Sequence, residues 1–347
     1  MKKNLILTVM VLILVVFTPE GLKGEKKVVL HELINPENLQ VANRHIYVTQ
    51  GIEVFIYSLP DFKLEKKFGK QGEGPGEFLP FPTPVRSSLR LVIYPNQLMI
   101  NSIGKLSFFS LKGEFKKEMR SKATIGRFKP VGNYFTGFNF EIENKTNFIA
   151  VNLYDAKMNK IKQVYRFIHF HQNNQYIDVV PIGIDYFDKI YTWQEKIIIS
   201  GDDNSLHVFD HQGNPLKKIA LKVKPARITD AHKTRYHEFY RTDPRFKFSY
   251  EMYRHLVRFN DYFPLFRRLF FDRGKIIIVT FNRKPGMSES IFTDIEGKRY
   301  KKVYLPIRER NIRDLFPLDI KNGKIYQLLE NKEEKWELHI TDINFFP

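Results

Sequence analysis

The stretch "QEKIIISGDDNSLHVFDHQGNPLKKIAL", starting at Gln194, constrains the fold most, because its pattern returns along the chain. An apolar, β-branched run is followed by a short gap, a second such run, a turn and a more charged run. Related copies start at Arg44 ("RHIYVTQGIEVFIYSLPDFKLEKKF"), Asn96 ("NQLMINSIGKLSFFSLKGEFKKEM"), Gly132, Arg273 and Asn322. Runs such as Lys196–Ser200 and Leu206–Asp210 have strand composition. "DHQGN" (Asp210–Asn214) and "LKGE" (Leu111–Glu114) put glycine where a tight turn needs positive φ. The charged runs that follow, "PLKKIAL" and "EFKKEM", suit an outer strand whose edge faces water.

A further apolar segment precedes most copies: "LRLVIYP", "FKPVG", "DYFDKIYT", "FRRLFFD" and "IRDLFPLDI". Placed as an inner strand, it makes each repeat a four-stranded antiparallel blade. The expectation is an all-β chain, a six-bladed β-propeller over residues 27–347, in which blades fold only by stacking on one another. A hydrophobic share of 43%, with 31 Phe and 17 Tyr, supplies such a core. The copy from Asn322 holds only two strands, and "KVVLHELI" (Lys27–Ile34) is a spare one. That N-terminal strand is expected to pair into the last blade and close the ring.

Between the first two copies lies "FGKQGEGPGEFLPFPTPV" (Phe68–Val85). Gly72, Gly74 and Gly76 permit backbone angles that other residues resist. Pro75, Pro80, Pro82 and Pro84 fix φ and remove donors, and Phe78 and Phe81 are placed to plug between blades. The stretch lacks the G-x-x-x-x-G-K-[ST] spacing of a phosphate cradle. Gly69, Gly72, Gly74, Pro75, Gly76, Glu77 and Phe78 resemble the interblade signature of NHL-type six-bladed propellers, especially exported bacterial ones of mostly unknown function. The crossings after Met119, Phe167 and Leu221 do not repeat it.

The repeat breaks at residues 228–268, between blades four and five, where helical signals appear. The resembled propellers often carry such an insertion. Thr229 or Asp230 is placed to cap a first helix, and Ser249 a second that presents Met252, Leu256 and Phe259 at helical spacing. The insertion supplies the candidate ligand-binding residues: Arg235, Tyr236, Tyr240, Arg241, Arg245, Tyr253, Arg254 and Arg258. Arginine forks match carboxylate, sulfate or phosphate, and aromatic rings offer stacking surfaces. The competing reading is a lid that packs its aromatics and leaves its arginines solvated.

Lys2 and Lys3 followed by the apolar run Asn4–Phe17 read as a secretory signal over residues 1–24, with Gly24 the best small residue for cleavage. The run is shorter than the ~20 residues of a spanning helix; an uncleaved N-terminal anchor is the alternative. Both readings place the body of the chain outside the cytoplasm, in the periplasm or beyond. The chain has no cysteine, so it has no disulfide, no thiolate and no lipid-modified cysteine. A formal charge of +18 favours anionic partners: an acidic glycan or surface polymer, lipid headgroups or nucleic acid; a protein partner and a merely solvated basic surface are the other readings. Export disfavours nucleic acid, leaving an RNA-binding basic face as a third reading. A monomer is expected.

Catalytic signals are sparse. No G-x-S-x-G or H-E-x-x-H occurs. His169 and His171 share a strand face but lack a third ligand, and "GDDN" (Gly201–Asn204) reads as a hairpin turn. Asp185, Asp188, Asp272 and Asp319 lie near proposed inner strands. The sequence therefore favours a non-enzymatic binding or scaffold propeller with no cofactor. The alternative is a propeller lyase or lactone-type hydrolase with a channel-mouth metal such as calcium.

Overall fold

A computed structural model describes residues 22–80, 89–94, 96–121, 127–171, 177–179, 186–221, 223–298 and 300–343. β1 (Leu22–Val29) is followed by blade one, β2 (Asn38–Ala42), β3 (His45–Gln50), β4 (Glu53–Ser58) and β5 (Leu64–Phe68). Blade two is β6 (Arg90–Tyr94), β7 (Gln97–Ser102), β8 (Lys105–Ser110) and β9 (Phe115–Arg120). Blade three is β10 (Lys129–Val131), β11 (Tyr134–Glu143), β12 (Thr146–Tyr154) and β13 (Lys160–His171), with β14 (Ile177–Val179) after it. Blade four is β15 (Ile190–Trp193), β16 (Lys196–Ser200), β17 (Ser205–Phe209) and β18 (Pro215–Ala220). The insertion holds α1 (Asp230–Thr242), α2 (Lys247–Tyr253) and β19 (Val257–Phe259). Blade five is β20 (Arg268–Asp272), β21 (Lys275–Lys284), β22 (Met287–Asp294) and β23 (Tyr300–Leu305); β24 (Leu318–Lys321), β25 (Lys324–Glu330) and β26 (Trp336–Ile343) begin blade six. These strands form six antiparallel four-stranded sheets, the blades of a propeller.

Strand chemistry explains the layering. Second strands are buried on both faces, so they read as continuous apolar runs: Ile197, Ile198 and Ile199 are all 0% exposed. Successive side chains point to opposite faces. Ile197 and Ile199 pack with blade three, while Ile198 packs with blade five. Each blade interface thus has its own apolar core, and each such side chain contributes roughly 1.5–3 kcal/mol by burial. Outer strands such as β5 and β9 expose their lysines.

A polar side chain also stitches every pair of neighbouring blades. Gln40 donates to Leu91 O at 2.7 Å and Asn101 to Phe128 O at 3.1 Å. Lys129 Nζ donates to Ile190 O at 2.5 Å, and Leu269 N donates to the Tyr191 hydroxyl at 3.0 Å. Asp272 accepts the amides of Asn322 and Gly323 at 2.8 and 2.7 Å, and Asp319 accepts that of Val41 at 2.8 Å. The last of these joins blade six to blade one.

The turn between third and outer strands shows why glycine recurs there. Gly213 and Gly297 adopt φ of +73° and +70°. A Cβ on Gly213 would lie 2.8 Å from Val164 of blade three, and one on Gly297 2.6 Å from Ile219 of blade four. Left-handed backbone and close approach to the preceding blade both require the missing side chain.

β1 pairs antiparallel with β26, Val28 opposite Leu338, and supplies the outer strand of blade six. Closure by the N-terminal strand holds, but its bounds differ from the sequence reading. The strand starts in the charged "LKGEK", with an irregularity between Lys23 and Glu25. Leu30 and Leu33, expected within it, instead fold into a turn and are buried beside Trp336. The apolar run outlasts the strand because the turn has a core of its own. The sequence reading also assigned no inner strand to blade one; β2 fills that place.

The opening loop is knitted by its own polar groups. Gly72 N donates to Phe78 O at 3.1 Å, Phe78 N to Lys70 O at 2.7 Å, and Gly74 N to Glu77 Oε2 at 3.1 Å. Phe78 is 0% exposed, against Phe109 of blade two. A Cβ on Gly72 would meet the Glu77 carboxylate at 2.0 Å, and Lys105 donates to Gly74 O at 2.8 Å. Phe81, Pro82, Pro84 and residues 1–21 lie outside the described residues; the last three residues of the segment read as a leader, Leu22–Gly24, begin β1.

Candidate binding face

Crossings between blades and the turns between second and third strands lie at one end of the ring, here the crossing end. The insertion stands on it. Its neck is a short pair in which Ile228 N donates to Asp261 O and Phe263 N to Ala226 O, both at 2.8 Å. β19 pairs in parallel with β14, so the insertion reaches the crossing between blades three and four. On the other side, Arg235 pairs with Glu309 at 2.9 Å, and Arg313 stacks on Phe246 at 5.0 Å, on the crossing between blades five and six.

Glu309 is the strongest tether. Its carboxylate also contacts Arg267 at 2.7 Å and Arg283. The Arg267 side chain is 5% exposed. Burial pulls its guanidinium down to about 9 and that of Arg283 to about 10, so both remain cations at neutral pH. Three arginines from α1, the insertion's exit and β21 therefore converge on one carboxylate from the next crossing.

Inside, α1 and α2 close on an aromatic core. Tyr236, Tyr240, Phe246 and Tyr250 are buried together, with Tyr253 and Phe259 packed against them. The Tyr236 and Tyr240 rings lie 4.4 Å apart, tilted by 37°, and the Tyr250 hydroxyl bonds His237 Nδ1. Burial and the Arg241 charge hold His237 below its ordinary range. Thr229 is the N-cap of α1; its amide donates to His232 Nδ1 at 3.1 Å. Ser249 does not cap α2: the helix starts before it, at Lys247, and the Ser249 hydroxyl donates to Phe246 O at 3.0 Å. Leu256 and Phe259 fall beyond α2.

Eight residues named by the sequence therefore have two placements. Tyr236 and Tyr240, at 2% and 8% exposure, sit within the insertion's core, and Tyr253 is half-buried at its edge. Arg235 is held by Glu309, Arg245 forks onto Asp243 at 2.6–3.1 Å, and Arg254 pairs with Glu251 at 3.2 Å. Arg241 and Arg258 are exposed. The outward surface is a basic one laid over an aromatic interior.

The channel carboxylates are occupied otherwise. Asp272 and Asp319 are the stitches already described, and burial raises the Asp319 carboxyl to about 6. Asp188 lies in a short 3-10 turn. Asp185 lies outside the described residues, as do the side chains of His169 and His171. "GDDN" forms the turn between β16 and β17; Asp203 pairs with His207 and Lys218 at 3.1 and 2.7 Å, and Asp202 with Lys189. Among the described residues no group of three His, Asp or Glu side chains is placed to hold a metal ion. No described helix is long and apolar enough to cross a membrane.

No protein-family model and no curated protein matches the chain. Among solved structures, BamB from Moraxella catarrhalis is similar at 9% identity and a TM-score of 0.35, over 89% of this chain and 70% of that one. The computationally designed Ika8 protein is similar at 8% identity and a TM-score of 0.40, over 89% and 97%. KlHsv2 with loop 6CD replaced by a Gly-Ser linker is similar at 12% identity and a TM-score of 0.32, over 78% and 70%. The fold assignment rests on this chain's own blade topology.

Proposed function

We propose that the protein is an exported, NHL-type binding propeller that recognises an anionic, glycan-like polymer through its insertion-bearing end. The observation that carries this reading is the insertion itself. Most of its aromatic residues, Phe248 excepted, are spent on a rigid core, and Arg235 fixes that core to the ring, while Arg241, Arg254, Arg258 and Lys247 face solvent. Guanidinium groups on a rigid mount lose little freedom on pairing with carboxylate or sulfate. The stitching of Asp272 and Asp319 to backbone amides supports a binding role over channel-metal chemistry.

The test is binding of dextran sulfate to the leader-free protein, with R241A, R254A and R258A combined. Affinity is expected to fall at least tenfold in the triple variant and with rising salt. Binding that survives the triple substitution would move the site off the insertion.

A further inference from the structure

The most exposed large apolar side chains of the described chain are Phe248, Ile34, Ile142 and Met252, at 83%, 81%, 67% and 65%. Their positions in the topology share one property. Ile34 lies in the crossing from β1 to β2, Ile142 at the tip of the β11–β12 hairpin, and Phe248 and Met252 one turn apart on α2. All four belong to the crossing end of the ring, on three separate mounts spread around it. At the opposite end, the turns from first to second strands carry polar tips: Asn43 and Arg44, Gln194 and Glu195, Asn322 and Gly323. The less exposed Phe115, Ile161 and Leu216 begin outer strands and so also sit at that opposite end, singly on three blades and at 41–52% exposure.

Cations flank each apolar tip. Lys145 follows Ile142 in the hairpin turn, Lys247 precedes Phe248, and Arg310 donates to Asn35 beside Ile34 at 2.6 Å. Of the nearby carboxylates, Glu143 and Glu251 are engaged by Arg166 and Arg254, while the exposed Glu32, two residues before Ile34, accepts from the Tyr57 hydroxyl at 3.2 Å. A protein partner needs one contiguous patch of roughly 1,000 Å² or more. Separate apolar points among cations fit a partner that is flat, extended and anionic instead. Side chains of this kind lodge at the boundary between headgroups and acyl chains, while lysine and arginine meet acidic lipid.

We propose that the crossing end docks on an acidic lipid bilayer, with Phe248 and Met252, Ile142 and Ile34 entering the interface and the basic residues holding the headgroups. The proposal stands on the apolar tips and is separate from recognition of a soluble polyanion. Its test is co-sedimentation of the leader-free protein with vesicles of equal parts phosphatidylglycerol and phosphatidylcholine, and with phosphatidylcholine alone. The expected result is binding to the acidic vesicles, a drop of about tenfold or more in partitioning for F248S/M252S, and a further drop when I142S is added. Dextran sulfate binding by the same variants should stay at the wild-type level, and melting temperature should confirm that these exposed changes leave the ring folded. Wild-type protein that ignores acidic vesicles overturns the proposal and turns this end toward a protein partner. Serine variants that bind acidic vesicles as wild type does also overturn it, since attachment is then electrostatic alone. Wild-type protein that binds acidic vesicles but not dextran sulfate would instead strike the polyanion reading and leave this one standing.

Discussion

Asp319 Oδ2 accepts the amide of Val41 at 2.8 Å, so a carboxylate of the last blade holds the inner strand of the first. Burial raises that carboxyl from 3.8 to about 6. Between about pH 4 and pH 6 the folded state therefore keeps on Asp319 a proton that the unfolded chain releases, and this group's contribution to stability falls as pH rises through the window. The slope reaches about 1.4 kcal/mol per pH unit at its steepest. The melting-temperature advantage of wild type over D319N, which lacks one acceptor oxygen, should shrink as pH rises across this range. Parallel profiles for the two proteins would show that Asp319 is not the titrating group.

Gly297 and Gly286 share φ of +70°, but only Gly297 faces a neighbouring blade, with Ile219 2.6 Å from a built Cβ. Gly286 has nothing within 4 Å. G286A should cost only left-handed strain, about 1 kcal/mol. G297A adds overpacking and should cost roughly 2–4 kcal/mol in urea unfolding. Equal costs would mean that the blades part without resistance at this contact.

Replacing Glu309 by Gln leaves the buried Arg267 and its neighbours Arg235 and Arg283 without their shared counter-charge. Removing one partner of a buried pair costs ~3–5 kcal/mol. The loss should appear first in the insertion, as faster hydrogen exchange in α1, with blades one to three protected as before. Unchanged exchange in α1 would remove Glu309 from its role as tether.

Y236A should open the aromatic core at a cost of ~3–5 kcal/mol, whereas R241A should change stability by no more than about 0.5 kcal/mol. Limited proteolysis of the insertion separates the two. A Y236A protein as resistant as wild type would return Tyr236 to the ligand surface.

Blades were legible where chemistry repeats. Glycine-bearing turns and doubly buried runs such as Ile197–Ile199 carry the same physical demand at each interface, and the sequence shows it each time. β2 was harder to see because "NLQVA" offers only Leu39 and Val41 to the core, while Gln40 spends its amide on blade two. In the insertion, sequence located the right segment but not the direction of its side chains. Tyr236 and Tyr240 stand four apart, as do Phe248 and Met252; one pair is buried and the other exposed. Helical spacing marks a face, and only the packing of α1 on α2 decides whether that face turns inward.

Closure by β1 also has a consequence for the order in which the molecule is built. Among the described strands the first, β1, pairs with the last, β26, so blade six is complete only after the other five blades have emerged. Until then β1 has no partner, and Trp336, which donates to Ile34 O at 2.8 Å, has no lid. Blades one to five rest on contacts closer in sequence, whereas this seam joins the first and last described strands and closes the longest loop. The ring locks last at the point where its two ends meet, and an unfinished chain carries an open edge ready to pair with another.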